Sequence, residues 1–341
     1  MKYHSYNVKD FFSKKNNFMK YSDVPSHILY GIPVENPELT IIIPVYKRTD
    51  FIKDAITSAL RQTTERCYQI MVIDNTVEDD AIQRIVEKFP RNRVLYVKNE
   101  KNIGMQGNWN RGIELSKSSW ITMLHDDDRL KPNYIETIFQ ILESYSDTSV
   151  SAVGVAHDII DSSGRIIMHS KIRHSCYLIS PYDLFFDIVS LPIMGILLNR
   201  EAAILYGGFD DDFFPCADAH FLCKLGLWGK TLYLSESLVE YRIAQNESMK
   251  PSTLCSFVVY NHIHMLALYN TGRLNFYKWF VDIAMNVNAK NLKESNSSFW
   301  HCEDINYENI DKIIHYNNPS KFSCWIYRFV RFLCKQKRKK L

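Results

Sequence analysis

Residues 39–48 read Leu-Thr-Ile-Ile-Ile-Pro-Val-Tyr-Lys-Arg, and the run Ile41-Ile42-Ile43-Pro44-Val45 at their centre is apolar at consecutive rather than alternate positions. A strand with one wet face alternates, whereas a strand covered on both faces does not. The run therefore predicts a first strand buried inside a layered sheet. Directly after it, Phe51, Ile52, Ala55, Ile56, Ala59 and Leu60 recur at helical spacing, which makes a strand-to-helix step. The pattern continues with strands expected over Gln69–Asp74, Arg93–Val97 and Trp120–Leu124. Helices are expected over Ala81 to Phe89, Gly107 to Leu115 and Tyr134 to Leu142. Alternation of this length predicts an α/β fold: a doubly wound, mostly parallel sheet with helices on both faces.

Around this core the organisation changes. Residues 1–38 are broken by Pro25, Pro33 and Pro37 and are expected as an arm packing on the main domain. That domain is expected over 39–250, in halves 39–150 and 151–250. The second half opens on a predicted hairpin, Ser151–Ile160 and Arg165–His169, turning at Ser162-Ser163-Gly164. Helices are expected to dominate 251–341.

Apolar residues make up 46% and charged residues 23% of the 341-residue chain, enough for a sizeable core and unlike a disordered chain. The net charge is +3, yet Lys321–Leu341 alone holds eight Lys and Arg and no Asp or Glu. A nucleic-acid-binding domain spreads its cations over a face, so no nucleic-acid partner is expected. Within the terminal segment Phe322, Trp325, Ile326, Phe329, Val330 and Leu333 share one helical face, beside the cations Arg328, Arg331 and the cluster Lys335–Lys340. That is the composition of a helix lying on an anionic membrane surface. A terminal helix docked on the protein with a solvated tail has the same pattern. No apolar run reaches the roughly 18 residues of a membrane span. The eight cysteines form no CxxC pair, and the N-terminus has no apolar leader core. Reduced thiols in a cytoplasmic protein are therefore expected. Cys216, His220 and Cys223 are spaced unlike the usual zinc motifs.

Ligands of open α/β sheets bind beyond the carboxyl ends of the strands, which singles out Pro44-Val45-Tyr46, Asp74-Asn75 and His125-Asp126-Asp127-Asp128. Three successive carboxylates repel one another unless a cation or hydrogen-bond donors neutralise them. A hard divalent ion held by one or two carboxylates and completed by phosphate oxygens, Mn²⁺ or Mg²⁺, meets that need. A solvated turn or a helix cap before Leu130-Lys131-Pro132 also accommodates them.

Four stretches in order carry a resemblance: TIIIPVYKR from residue 40, QIMVIDNTVEDD from 69, NIGMQGNWNRGIELSKS from 102 and SWITMLHDDD from 119. From Leu39 to Met249 the chain resembles glycosyltransferase family 2, whose nucleotide-sugar-binding fold is called GT-A. The resemblance implies that 39–250 is an inverting, metal-dependent hexosyl- or N-acetylhexosaminyltransferase using Mn²⁺ or Mg²⁺. The donor it implies is a nucleotide-diphosphate sugar, a UDP-sugar foremost. The implied acceptor is a glycan or lipid-linked glycan of bacterial surface polysaccharide (O-antigen or capsule), at the inner face of the cytoplasmic membrane.

Residue roles follow from the same resemblance. Pro44, Val45, Tyr46 and Asp74 are implied around the base and ribose, Asp74 having a turn-forming alternative before Asn75. Asn102 and Asn110 fall on the loop and helix facing the nucleotide, where Trp109 replaces the Arg of many members. The metal motif departs from the common Asp-Ser-Asp-Asp. His125 stands for its first Asp, Asp126 aligns beside the ribose, Asp127 on the metal-binding carboxylate, and Asp128 as a second ligand or its support. The alignment within the trio stays open by one position. His125 is expected behind the ligands, because hard cations prefer oxygen.

Gly207-Gly208-Phe209-Asp210-Asp211 with Cys216-Ala217-Asp218 resembles the acceptor-side segment. Asp218 is implied as the general base and Ala217 replaces the usual Glu. A helix-terminal carboxylate is the other role open to Asp218. Arg242 is read as a phosphate partner or as a bridge to a nearby carboxylate, and Gln245-Asn246-Glu247-Ser248 as a loop beside the donor diphosphate. Two other functions stay open: a nucleotidyltransferase, which normally shows a glycine-rich basic loop where only Lys47-Arg48 follow the strand, and a non-catalytic nucleotide-sugar-binding module.

Overall fold

The computed structural model describes residues 10–145, 149–170, 175–187, 193–244, 250–295 and 318–338; Gln245–Ser248 lies outside them. The strands are β1 (Ser26–Tyr30), β2 (Leu39–Val45), β3 (Tyr68–Asp74), β4 (Val94–Asn99), β5 (Trp120–Met123), β6 (Arg129–Leu130), β7 (Val150–Ile160), β8 (Ile166–Met168), β9 (Cys176–Leu178), β10 (Leu197–Asn199) and β11 (Lys230–Arg242). The helices are α1 (Ile52–Leu60), α2 (Ala81–Val86), α3 (Gly104–Leu115), α4 (Tyr134–Ser144), α5 (Pro181–Asp187), α6 (Arg200–Leu205), α7 (Ala217–Trp228), α8 (Pro251–Asn270), α9 (Lys278–Ser295) and α10 (Lys321–Gln336).

β2 and β3 are buried along their whole length, as the unbroken apolar run requires. β2 pairs in parallel with β3 and β5, and β3 in parallel with β4. The full order is β1-β4-β3-β2-β5-β10-β7-β11-β6, with a long parallel pairing of β7 and β11. Antiparallel β10 joins the two parallel groups. Alternation along β2 separates the layers. Ile41 and Ile43 share a buried core with Ile52 and Ile56 of α1 and Tyr134 and Ile138 of α4. Ile42 points to the other face, against α3, where a Cβ on Gly112 would lie 2.6 Å from its Cγ2. Helices therefore cover both faces, and only a residue without a side chain lets α3 sit this close.

Two details differ from the sequence reading. The helix expected from Gly107 begins at Gly104, where the Asn102 side chain accepts the Gly104 N–H and organises the first turn. The segment expected as an arm contributes β1, antiparallel to β4. Its Ile28 and Leu29 both face solvent, so no alternation announced it. Within the same segment, Tyr21 and Val24 are tied down by buried Arg111, which donates to both of their carbonyls.

The chain forms two compact units. The sheet unit takes in residues 14–178 and 191–244; the other, helical over its described residues, takes in 1–13, 179–190 and 245–339. Within the second, α10 buries Tyr327 against Phe186 at 5.5 Å between ring centroids and Arg338 donates to Asp183 at 2.6 Å. Phe322, Trp325 and Phe329 stay exposed and stack in a row. Among the described residues no helix is long and apolar enough to cross a membrane.

Candidate active site

The three stretches singled out at strand ends come together at the carboxyl edge of the parallel strands. β2 ends at Val45, whose carbonyl accepts the Asn75 N–H after β3, and Lys47 N–H donates to Thr76 Oγ1 at 2.7 Å. Between β5 and β6 runs His125-Asp126-Asp127-Asp128, with all three Asp buried. Burial pushes the Asp126 carboxyl up to about 6, against the pull of Arg48. Burial also raises Asp128, against the pull of His125. Burial disfavours charge on His125, but Asp128, Asp127 and Asp126 outweigh it and raise its pKa. Arg48 holds two of these carboxylates, donating to both oxygens of Asp126 and to Asp127 Oδ2 at 2.8 Å. Sequence reasoning missed this residue. An arginine just past one strand, facing an acidic run past its parallel neighbour, was the available signal.

Asp128 faces inward. Its Oδ1 accepts the Arg242 N–H at 2.9 Å, while its Oδ2 is buried without a hydrogen-bond partner among the described residues, 3.5 Å from His125 Nδ1. His125 stacks on Trp109 at 5.7 Å and 21°. The two departures from the family pattern, at positions 109 and 125, are therefore in contact.

Several residues read as nucleotide contacts are occupied within the protein. Asp74, fully buried, accepts from Thr76 N–H and Tyr96 O–H, both at 2.7 Å. This is the turn-forming alternative, and burial raises its pKa. Asn102 accepts from Asn75 Nδ2 and from Gly104 N–H, which places it in the frame of the loop. Asn110 spends both ends of its amide on the Phe209 backbone, at 2.8 Å each, clamping α3 to the acceptor-side segment. Arg242 is 1% exposed and donates to the carbonyls of Asp127, Asp161 and Ser162 and to Asp54. These bonds are those of a structural bridge, joining the backbone of the acidic loop to the turn after β7. Tyr46 is exposed.

Asp218 lies in the first turn of α7. One oxygen accepts the Ala219 N–H at 2.7 Å, and burial raises its pKa against that bond and the charge of nearby His125. The second acidic run is neutralised differently. Lys15 pairs with Asp212 at 2.7 Å and Asp210 at 3.4 Å, and Lys20 pairs with Asp211. Cys216 and Cys223 are buried, and His220 stacks on Phe213.

Residues 40–201 match the family model described as Glycosyl transferase family 2, the segment holding β2, the acidic loop and α3. Over that segment, just under half of its length, the chain is similar to glycosyltransferase family 2. The chain is 25% identical over 141 residues to an uncharacterised glycosyltransferase of Methanocaldococcus jannaschii, covering 40% of this chain and 48% of the relative. It spans about half or less of the curated relatives it matches first. Among solved structures it resembles Staphylococcus aureus TarS in complex with UDP-GlcNAc, with a TM-score of 0.56 and 13% identity over 80% of this chain and 77% of that one. It also resembles the mannosyltransferase PcManGT of Pyrobaculum calidifontis in complex with GDP-Man and Mn²⁺, with a TM-score of 0.50 and 15% identity over 82% and 80%. At these identities the likeness is one of fold, which is of the GT-A type.

The bridging role of Arg242 is open to test without any ligand. Arg242→Met removes a buried cation that joins the acidic loop to the turn after β7, and is expected to cost about 2–4 kcal/mol. Urea denaturation of the ligand-free protein checks this, and an unchanged midpoint would remove the bridge.

Proposed function

We propose that the chain is an inverting glycosyltransferase that moves a hexose or N-acetylhexosamine from a nucleotide-diphosphate sugar, a UDP-sugar foremost, to a hydroxyl of a glycan or lipid-linked glycan. The observation that carries this reading is the buried acidic run Asp126, Asp127 and Asp128 at the carboxyl end of β5, with His125 beside it and within electrostatic reach of buried Asp218 at the head of α7. The nucleotide sugars in the TarS and PcManGT complexes support the donor class.

The residues fit a hard divalent cation. Ligand atoms of His125, Asp127 and Asp128 lie within 4.8 Å of one another, and the buried Asp128 Oδ2 lacks a hydrogen bond among the described residues. Asp127 and Asp128 would hold Mn²⁺ or Mg²⁺, with His125 behind them. Bound there, the ion supplies counter-charge to the departing diphosphate. Tyr46 and the ends of β2 and β3 flank the donor, and Asp126 stands on its ribose side. Asp218 accepts the proton of the acceptor hydroxyl as its oxygen attacks the anomeric carbon, and the diphosphate leaves in the same step. A carboxylate whose pKa burial has raised is a stronger base than one in water.

Asp218→Asn keeps an oxygen for the Ala219 N–H but cannot take a proton. Transfer is expected to fall about 10²–10⁴-fold with melting temperature and donor affinity nearly intact. Near-normal turnover by the folded variant would remove Asp218 from the base role. For the cation, Asp127→Ala is expected to abolish the Mn²⁺-dependent rise in melting temperature on adding UDP; full activity of the wild type in EDTA would sink the metal reading.

The setting we propose is surface-polysaccharide assembly, O-antigen or capsule, at the cytoplasmic face of a membrane. The exposed aromatic row of α10 beside its Lys and Arg residues supports it, since Trp and Phe seat at the interface while cations meet anionic headgroups. Replacing Phe322, Trp325 and Phe329 together by Ser leaves the Tyr327 anchor in place. Sedimentation with anionic vesicles is expected to be lost and activity on a soluble acceptor kept; equal sedimentation of both forms would remove the membrane from the account.

A further inference from the structure

Arg48 grips the acidic loop from its solvent side. Its side chain is 47% exposed, whereas the Asp126 and Asp127 side chains it grips are 5% and 6% exposed. The guanidinium therefore closes the carboxylates from the solvent side. Among the other cations near the loop, Arg242 is bonded to backbone carbonyls, Arg129 pairs with Glu240 at 2.7 Å, and Lys47 pairs with Glu78 at 2.8 Å. Arg48 is also held in place from behind. Lys47 adopts a positive φ of 60°, a conformation costly for a residue with a side chain, and its N–H is bound by Thr76.

A guanidinium and a divalent cation cannot both occupy the Asp127 oxygen that Arg48 now holds, since like charges at ligand distance repel. A diphosphate offers the displaced, planar guanidinium a bidentate partner of the same sign as the carboxylates. We propose that Arg48 is an exchangeable counter-ion: it neutralises Asp126 and Asp127 in the ligand-free protein and passes to the donor diphosphate when a divalent cation takes Asp127. The inference rests on the donor and cation reading given above. It makes metal and nucleotide binding help each other through one side chain, because the cation frees the arginine that the phosphates then engage.

This predicts opposite signs for one substitution. In Arg48→Met the carboxylates lose their internal competitor, so Mn²⁺ alone is expected to bind about tenfold more tightly. UDP in saturating Mn²⁺ is expected to bind about 10–100-fold more weakly, the loss typical of a charged hydrogen-bonding partner. Arg48→Lys keeps a point charge and is expected to fall between Met and wild type in both titrations, and it also serves should the Met variant fail to fold. Isothermal titration of the full chain with Mn²⁺, and then with UDP or GDP in Mn²⁺, reads both affinities. Unchanged or weaker Mn²⁺ binding by the variants, or unchanged nucleotide binding, overturns the exchange while leaving the transferase reading standing. A wild type that binds neither Mn²⁺ nor either nucleotide overturns both.

Discussion

The structure around the site is organised by the cost of placing Asp126, Asp127 and Asp128 side by side, buried, with Asp218 close behind. Buried carboxylates without compensation neutralise or disrupt the fold. Here the three carboxylates of the loop are compensated from two sides. Asp126 and Asp127 take the Arg48 guanidinium, and Asp128 takes the Arg242 N–H and the proximity of His125. The compensation sets the topology nearby. β6 pairs with β11 at Leu130↔Val239, which brings Arg242 at the end of β11 beneath the acidic loop and lets its side chain cross to the turn after β7.

α3 carries a second constraint from inside the sheet. Its Asn108 joins a buried amide network in which Asn75 fills all four of its hydrogen-bonding places with Asn99, Asn102, Ile103 and Gly104. A fully satisfied buried network of this kind specifies one arrangement, because any shift strands a polar group. Trp109 and Asn110, next along the helix, then hold His125 by stacking and Phe209 by its backbone. One helix thus sets both the metal-motif loop and the acceptor-side segment. Asp74, Asn102, Asn110 and Arg242 are each tied by hydrogen bonds into the frame around this loop.

The two readings of the C-terminal segment are not exclusive. α10 is docked through Tyr327 and Arg338 while its aromatic row faces outward. A helix has enough circumference to bury one residue per turn on its own unit and still present another stripe.

The sequence by itself determined the layered α/β core and the location of the site. Unbroken apolar runs and 3.6-residue periods report burial on two faces or one, and ligands in such sheets gather at strand ends. It also indicated the acidic loop and Asp218, because carboxylate clustering is visible in one dimension. Only the tertiary structure decided what each polar residue spends its hydrogen bonds on. Asp74, Asn110 and Arg242 are bound to partners 22, 99 and 115 positions away, and Arg48 meets Asp126 across 78. Strand β1 was hidden for a related reason: an edge strand with outward apolar residues gains its order from its neighbour β4 rather than from its own pattern. Periodicity is a local property of the chain, whereas the pairing of a buried polar group depends on which distant residue the fold sets within three ångströms of it.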